Sequence, residues 1–134
     1  VPAWRGADDP RAAITLRHLL QMRSGLSWNE DYVDDAVSDV IEMLFGSGQD
    51  DVAGYVSGQA LVHAPGAEWL YSSGTTNIMT QIMGNVIGGG EAGFTAALID
   101  DLLRPAGMQE TTIRFGDAHT WIGSSFLYAT VATM

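Results

Sequence analysis

The sequence predicts a mainly α chain with short extended segments near its C-terminus. Three observations carry that prediction. Ile78, Met79, Ile82, Met83, Val86 and Ile87 recur at i, i+1, i+4, i+5, i+8 and i+9, which is one broad helical face. Glycine and proline cut residues 1–107 into helix-length pieces. Beyond Gly107 the pattern changes, because "TTIRF" and "WIGSSFLYATV" are rich in β-branched and aromatic residues.

In chain order, Val1 to Pro10 is a polar lead-in bracketed by prolines. "ITLRHLLQMRSGL" reads as a short helix with Thr15 as N-cap, Leu16, Leu19 and Leu20 as its apolar stripe and Gly25 as its stop. "SWNEDYVDD" is a loop carrying Trp28 and Tyr32. A second helix places Val37, Val40, Ile41 and Leu44 at helical spacing. "GSGQDD" breaks it, and Asp50 or Asp51 caps a short third helix through Val56. Pro65-Gly66 marks a turn. The long periodic helix follows, capped by Ser72 or Ser73, and Gly88-Gly89-Gly90 ends it. A fifth helix covers 91–104 until Pro105 and Gly107 break it. The two extended segments need strand partners, so they join a larger sheet or pair with each other.

The 134 residues fit one domain, and 46% hydrophobic against 16% charged residues is a globular balance. All six basic residues are arginines, against 16 acids, for a net charge of −10. Such a chain repels phosphate, so neither nucleic acid nor anionic lipid is an expected partner. The absence of cysteine excludes disulfides, thiolate metal sites and cysteine nucleophiles. No apolar run is long enough to span a bilayer, and no signal peptide opens the chain. The start at Val1 and the apolar ending "FLYATVATM" read as ends cut from something longer, with localisation left open.

Several motifs are excluded by what they lack. The glycine triplet has no P-loop lysine. Ser38-Asp39-Val40 has the wrong third residue for Ser-Asp-Asn and lies in a helical run. His18, His63 and His119 lack metal-ligand spacing, so no metal is expected. Asp34-Asp35, Asp50-Asp51 and Asp100-Asp101 lack the alternation of a calcium loop and read as solvated faces and helix caps. There is no Gly-x-Ser-x-Gly elbow, and Ser-x-x-Lys is impossible without lysine. Tyr71, in "PGAEWLYSSGTTN", keeps two readings: an aromatic packed at a helix entrance, or a phenol placed for acid–base chemistry.

Four stretches in order carry a resemblance over nearly the whole chain. "ITLRHLLQMRSGL" resembles the Ile-Thr-x-Arg-His-Leu-Leu helix and Ser-Gly-Leu that follow the nucleophile in serine β-lactamase-like hydrolases. "PGAEWLYSSGTTNIMTQIM" resembles that family's second motif, in which Tyr-Ser-(Asn or Ser) precedes a helix. "LLRPAGMQETTI" is similar to its Leu-x-x-Pro-Leu-Gly-Met-x-x-Thr element, and "WIGSSFLYAT" to the Gly-Ser-Ser-(Tyr or Phe)-x-Tyr-Ala-Thr strand. The family groups class C β-lactamases, D-alanyl-D-alanine peptidases, esterases and 6-aminohexanoate-dimer hydrolases, and the "EDY" and "GSSFLYAT" forms lean toward the last branch.

The resemblance implies the helical lobe of the β-lactamase/transpeptidase-like α/β fold, as a single partial domain. A helical lobe covers 11–105, and a strand-forming return segment covers 110–131. It implies an acyl-serine hydrolase of small amide or ester substrates with no cofactor, its Ser-x-x-Lys upstream of residue 1 and its third motif downstream of Met134. Tyr71 matches the tyrosine that shuttles a proton between nucleophile and leaving group. A phenol titrates near pH ~10 when unperturbed, so that work needs a neighbouring cation, which the family's lysine supplies. Ser73 matches the position of an asparagine whose amide contacts substrate in β-lactamases. Tyr32 matches a tyrosine bordering the cleft in the nylon-oligomer branch, against a loop aromatic covering the core. Ser124 and Ser125 match a strand near the active-site wall, against exposed strand hydroxyls. The fragment alone is expected to be inactive. The rival reading is a non-catalytic helical module whose apolar faces and strand edges favour a homo-dimer.

Overall fold

One helix, which begins two residues after Tyr71, packs against four others and organises the chain. The computed structural model describes residues 1–6, 8–32, 37–108 and 110–130. Asp34, Asp35 and the expected strand end at residue 131 lie outside them. Among the described residues the α-helices are α1 (Leu16–Leu20), α2 (Asp39–Phe45), α3 (Val52–Ser57), α4 (Ser73–Ile87) and α5 (Gly90–Leu98). Two antiparallel strands follow, β1 (Thr111–Ile113) and β2 (Leu127–Ala129), with Thr112 opposite Tyr128. α4 packs against α1, α2, α3 and α5.

Short-range chemistry sets the helix starts. Thr15 caps α1 by accepting from the His18 N–H, while His18 Nδ1 accepts from the Thr15 N–H, a reciprocal capping box. Asp51 accepts from the Gly54 N–H at the start of α3. Ser72, not Ser73, caps α4 by accepting from the Thr75 N–H at 3.0 Å. Gly88, at φ +72°, ends α4. α5 runs into a π-helical turn, Ile99–Leu103, where the Arg104 N–H reaches the Ile99 carbonyl five residues back.

The lead-in is more structured than its composition suggests. It forms two 3₁₀ turns, Pro2–Trp4 and Pro10–Ala13, and buries Trp4. The Trp4 indole N–H and the Arg11 guanidinium both donate to the Ser57 carbonyl at the end of α3, where an orphan helix carbonyl needs donors.

Three stripes differ from the periodic expectation. In α1 only Leu19 is buried, while Leu16 and Leu20 face solvent. The helix is one and a half turns long, so one row meets α4. It ends before Gly25, at Leu20, and Met22 takes the left-handed conformation (φ 55°). Gly25 serves a different need: at φ +80°, a Cβ there would sit 2.3 Å from the His63 carbonyl oxygen. Its own carbonyl accepts from the Val62 and His63 N–H groups. In α2 the buried pair is Val40 and Met43, whereas Ile41 is exposed and Val37, also exposed, lies before the helix.

α4 departs most. Ile78 is fully buried, with Met79 and Ile82 partly so, but Met83, Val86 and Ile87 are exposed, Val86 at 81%. Its first two turns bury Ser73, Gly74, Thr75, Asn77 and Thr80 instead. Helices surround this end closely, so small and hydrogen-bonding side chains fit where long apolar ones cannot.

The main core joins Trp4, Leu19, Leu26, Trp28, Val40, Met43, Val52, Val56, Ile78 and Ile122. A second cluster centres on Phe94, Leu98 and Leu103. There Phe94 meets Phe115 edge-on at 5.9 Å and Trp121 at 5.7 Å. The two extended segments pair with each other, but Ser124 and Ser125 lie in the turn before β2 and not in a strand. The Gly123–Ser125 turn curls because the Ser125 and Phe126 N–H groups both donate to the Ile122 carbonyl. No single helix among the described residues is long and apolar enough to cross a membrane.

Candidate active site

Tyr71 stands on the extended approach to α4, held on both flanks. Before it, the Leu70 N–H donates to the Met22 carbonyl at 2.9 Å. After it, Ser72 caps the helix and Ser73 opens its first turn. The Tyr71 ring is 53% exposed. Among the described residues its hydroxyl has no hydrogen-bond partner, whereas Tyr32 and Tyr55 each donate theirs to a carboxylate, Glu30 and Asp39 respectively.

Ser73 is buried at 5% exposure, and both its donors go to one residue. Its hydroxyl donates to Glu30 Oε1 at 2.6 Å, and its backbone N–H donates to Oε2 at 2.9 Å. The same carboxylate accepts from the Trp28 indole at 2.7 Å and from the Tyr32 hydroxyl at 3.2 Å. Four donors from two distant stretches thus meet two oxygens at the N-terminus of α4, where the helix dipole favours negative charge. Among the described residues no cation forms an ion pair with Glu30.

Tyr32 is largely exposed, and its phenol is held above the ordinary phenol range. Partial desolvation comes first, the Glu30 carboxylate next, and the Tyr71 phenol also contributes. Tyr32 and Tyr71, 39 positions apart in the chain, therefore sit within electrostatic reach of one another. The loop beneath them is stiffened from the other side: Asp39 accepts from the Asn29 N–H at 2.7 Å and returns its own N–H to the Asn29 carbonyl.

Ser124 is joined to the site at one remove. Asn77, fully buried one turn beyond Ser73, donates to the Ser124 hydroxyl at 3.2 Å and accepts from the Ser124 N–H at 3.4 Å. The structure therefore gathers Tyr32, Ser73 and Tyr71 beside Glu30, while Ser124 hangs on Asn77 farther along α4. Ser125 shares a hydroxyl contact with Ser124 at 3.1 Å.

Glu30 and Asn77 escaped the sequence reading. One signal for Glu30 was present: Trp28, Glu30 and Tyr32 alternate, which in extended chain puts all three on one side. Nothing in the sequence pointed to Ser73 as the fourth member. Asn77 was hidden inside an apolar helix, where its amide carries no periodic signal.

Of the four expected residues, Tyr32 and Tyr71 are exposed on an open ledge, Ser73 is buried beneath them and Ser124 lies farther along α4. A groove of ≈ 850 Å³ between α5 and β1, lined in part by Thr95, Leu98, Leu103 and Ile113, contains none of them. Among the described residues no three metal-ligating side chains converge. What the ledge offers chemically is an exposed phenol on a fixed backbone, with a second phenol and a hydrogen-bonded carboxylate beside it.

Compared with known proteins, residues 1–120 match the family model described as "Beta-lactamase". No curated protein sequence matches the chain.

Proposed function

Because this chain belongs to the beta-lactamase family, we propose that it is the helical lobe of a serine hydrolase, a single partial domain with Tyr71 as its acid–base group. The parent enzyme cleaves a small amide or ester. A serine supplied outside residues 1–134 attacks the carbonyl carbon. Tyr71 takes the serine proton and passes it to the departing nitrogen or oxygen, leaving an acyl-serine that water then hydrolyses. A lysine beside that serine supplies the cation the phenol needs, since this chain holds no lysine. Tyr32 borders the cleft, Ser124 lies toward its wall, and Ser73, its hydroxyl held by Glu30, supports the site from beneath.

The observation that carries this reading is the state of the Tyr71 hydroxyl. It is exposed and, among the described residues, unbonded, on a segment pinned at Leu70 and Ser73. A tyrosine serving the core would bury its ring and pair its hydroxyl.

The test uses the complete enzyme and the isolated segment together. Tyr71→Phe in the complete enzyme lowers kcat on a p-nitrophenyl ester by ~100-fold or more, and unchanged turnover returns Tyr71 to a structural role. Residues 1–134 alone turn over neither that ester nor nitrocefin above background.

The exposed Met83, Val86 and Ile87 favour a second reading, a non-catalytic helical module that self-associates. A concentration-dependent dimer in sedimentation, together with a complete gene lacking Ser-x-x-Lys, would establish it over the first.

A further inference from the structure

We propose that Glu30 is the positioning residue of this site, locking the Tyr71 segment to the Tyr32 loop, and that Ser73 works through it. The inference rests on the hydrolase reading above.

An ionised carboxylate offers about four lone-pair positions on two oxygens and donates nothing. At Glu30 all four are taken. Oε1 holds the Ser73 and Tyr32 hydroxyls, and Oε2 holds the Ser73 backbone N–H and the Trp28 indole. No lone pair is left to accept a substrate proton or to ligate a metal, so Glu30 is neither a base nor a ligand. Its work is mechanical. It ties the loop of Trp28 and Tyr32 to the first turn of α4, 43 residues away in the chain.

That tie falls two residues after Tyr71. The Leu70 N–H on the Met22 carbonyl fixes one side of the tyrosine, and the Ser73 N–H on Glu30 fixes the other. The loop cannot yield easily, because Asp39 clamps Asn29 beside Glu30. Trp28, buried in the main core, anchors the third donor. Proton transfer demands placement to a fraction of an ångström, and a displacement of ~1 Å can cost ~100-fold in rate. Ser73, buried with its proton committed to Glu30, contributes by holding this lock.

A double-mutant cycle in the complete enzyme, read on a p-nitrophenyl ester, tests the assignment. Glu30→Gln keeps the shape but turns two acceptor positions into donors. It should lower kcat by ~10-fold or more with KM changed less than about twofold, because the defect lies in the placement of Tyr71. In a Tyr71→Phe background the same change should cost less than about twofold, since there is no phenol left to misplace. Multiplying losses would overturn the inference and leave the hydrolase reading standing, as would a neutral Glu30→Gln. A Tyr71→Phe enzyme of undiminished kcat would overturn both. Should Glu30→Gln fail to fold, Ser73→Ala removes only the 2.6 Å bond and keeps the backbone donor. Its smaller kcat loss, about threefold or more, must likewise vanish without the Tyr71 hydroxyl, and persistence of the loss there overturns the inference.

Discussion

Replacing Gly74 by alanine should destabilise the protein, although the same change usually helps a helix. Gly74 lies in the first turn of α4, between Ser73 and Thr75. A Cβ there would meet Trp28 Cη2 and Cζ3 and Val56 Cγ2, each at 2.7 Å. Carbon atoms prefer separations of about 3.5–4.0 Å, so three contacts must each open by roughly 1 Å. Neither neighbour is a free end. Val56 is buried inside α3, and the Trp28 indole is held on Glu30 at 2.7 Å. Overpacking of this kind costs about 1–3 kcal/mol. Against it stands a helix-propensity gain of at most about 1 kcal/mol, less in a first turn. The net loss is about 1–2 kcal/mol.

Gly84 on the same helix is the control, since its added Cβ would meet only Phe94 Cδ2 at 3.8 Å, an ordinary contact. Gly84→Ala should therefore gain about 0.5–1 kcal/mol. Urea denaturation followed by tryptophan fluorescence reads both. With a slope of about 1–3 kcal/mol per molar, the midpoint should fall by ~0.5–1 M for Gly74→Ala and rise for Gly84→Ala. Equal or higher stability of Gly74→Ala would refute the claim that Trp28 and Val56 cannot give way.

Two further outcomes follow from the hydrogen bonds. Asp9 is held below the ordinary carboxylate value, first by the Arg11 side chain and then by the Arg11 N–H. A depressed carboxyl contributes stability above its unfolded value and loses it as pH falls through the folded one. Asp9→Asn should therefore lower the thermal midpoint at pH 7 and approach the wild type as pH falls through the depressed folded value of Asp9, and a pH-independent difference would contradict this. Thr80→Val removes the buried hydroxyl that donates to the Trp121 carbonyl at 2.7 Å and keeps the shape. It should cost about 1 kcal/mol in urea denaturation, with no loss expected only if Gly123, which also donates to that carbonyl, suffices alone.

Much of the local architecture was legible. Thr15 was legible outright, and Asp51 and Ser72 each as one of two adjacent candidates, because all three are short oxygen-bearing side chains three residues before the amides they cap. The Gly88 stop and the β-branched return segment read equally well, because each depends on backbone freedom or side-chain shape at its own position. Tyr71 was legible as a candidate through its motif. The α4 stripe was misjudged for a physical reason: periodicity reports which residues could share a face, not which face the neighbouring helices leave room to bury. Small Gly74 and polar Asn77 won the interior where helices close in, and Val86 stayed outside where none does.

By itself, then, the sequence determined the family, the order of the helices and the start of most of them, the pairing-prone return segment and the position of the phenol. Each rests on interactions within a few residues or on motifs kept in order. Only the tertiary structure decided what surrounds that phenol. Glu30 acquires its role from Ser73, 43 residues away, and Asn77 acquires its role from Ser124, 47 residues away. A polar side chain shows in sequence only that it needs a partner, and folding chooses which partner by bringing distant donors and acceptors together out of water.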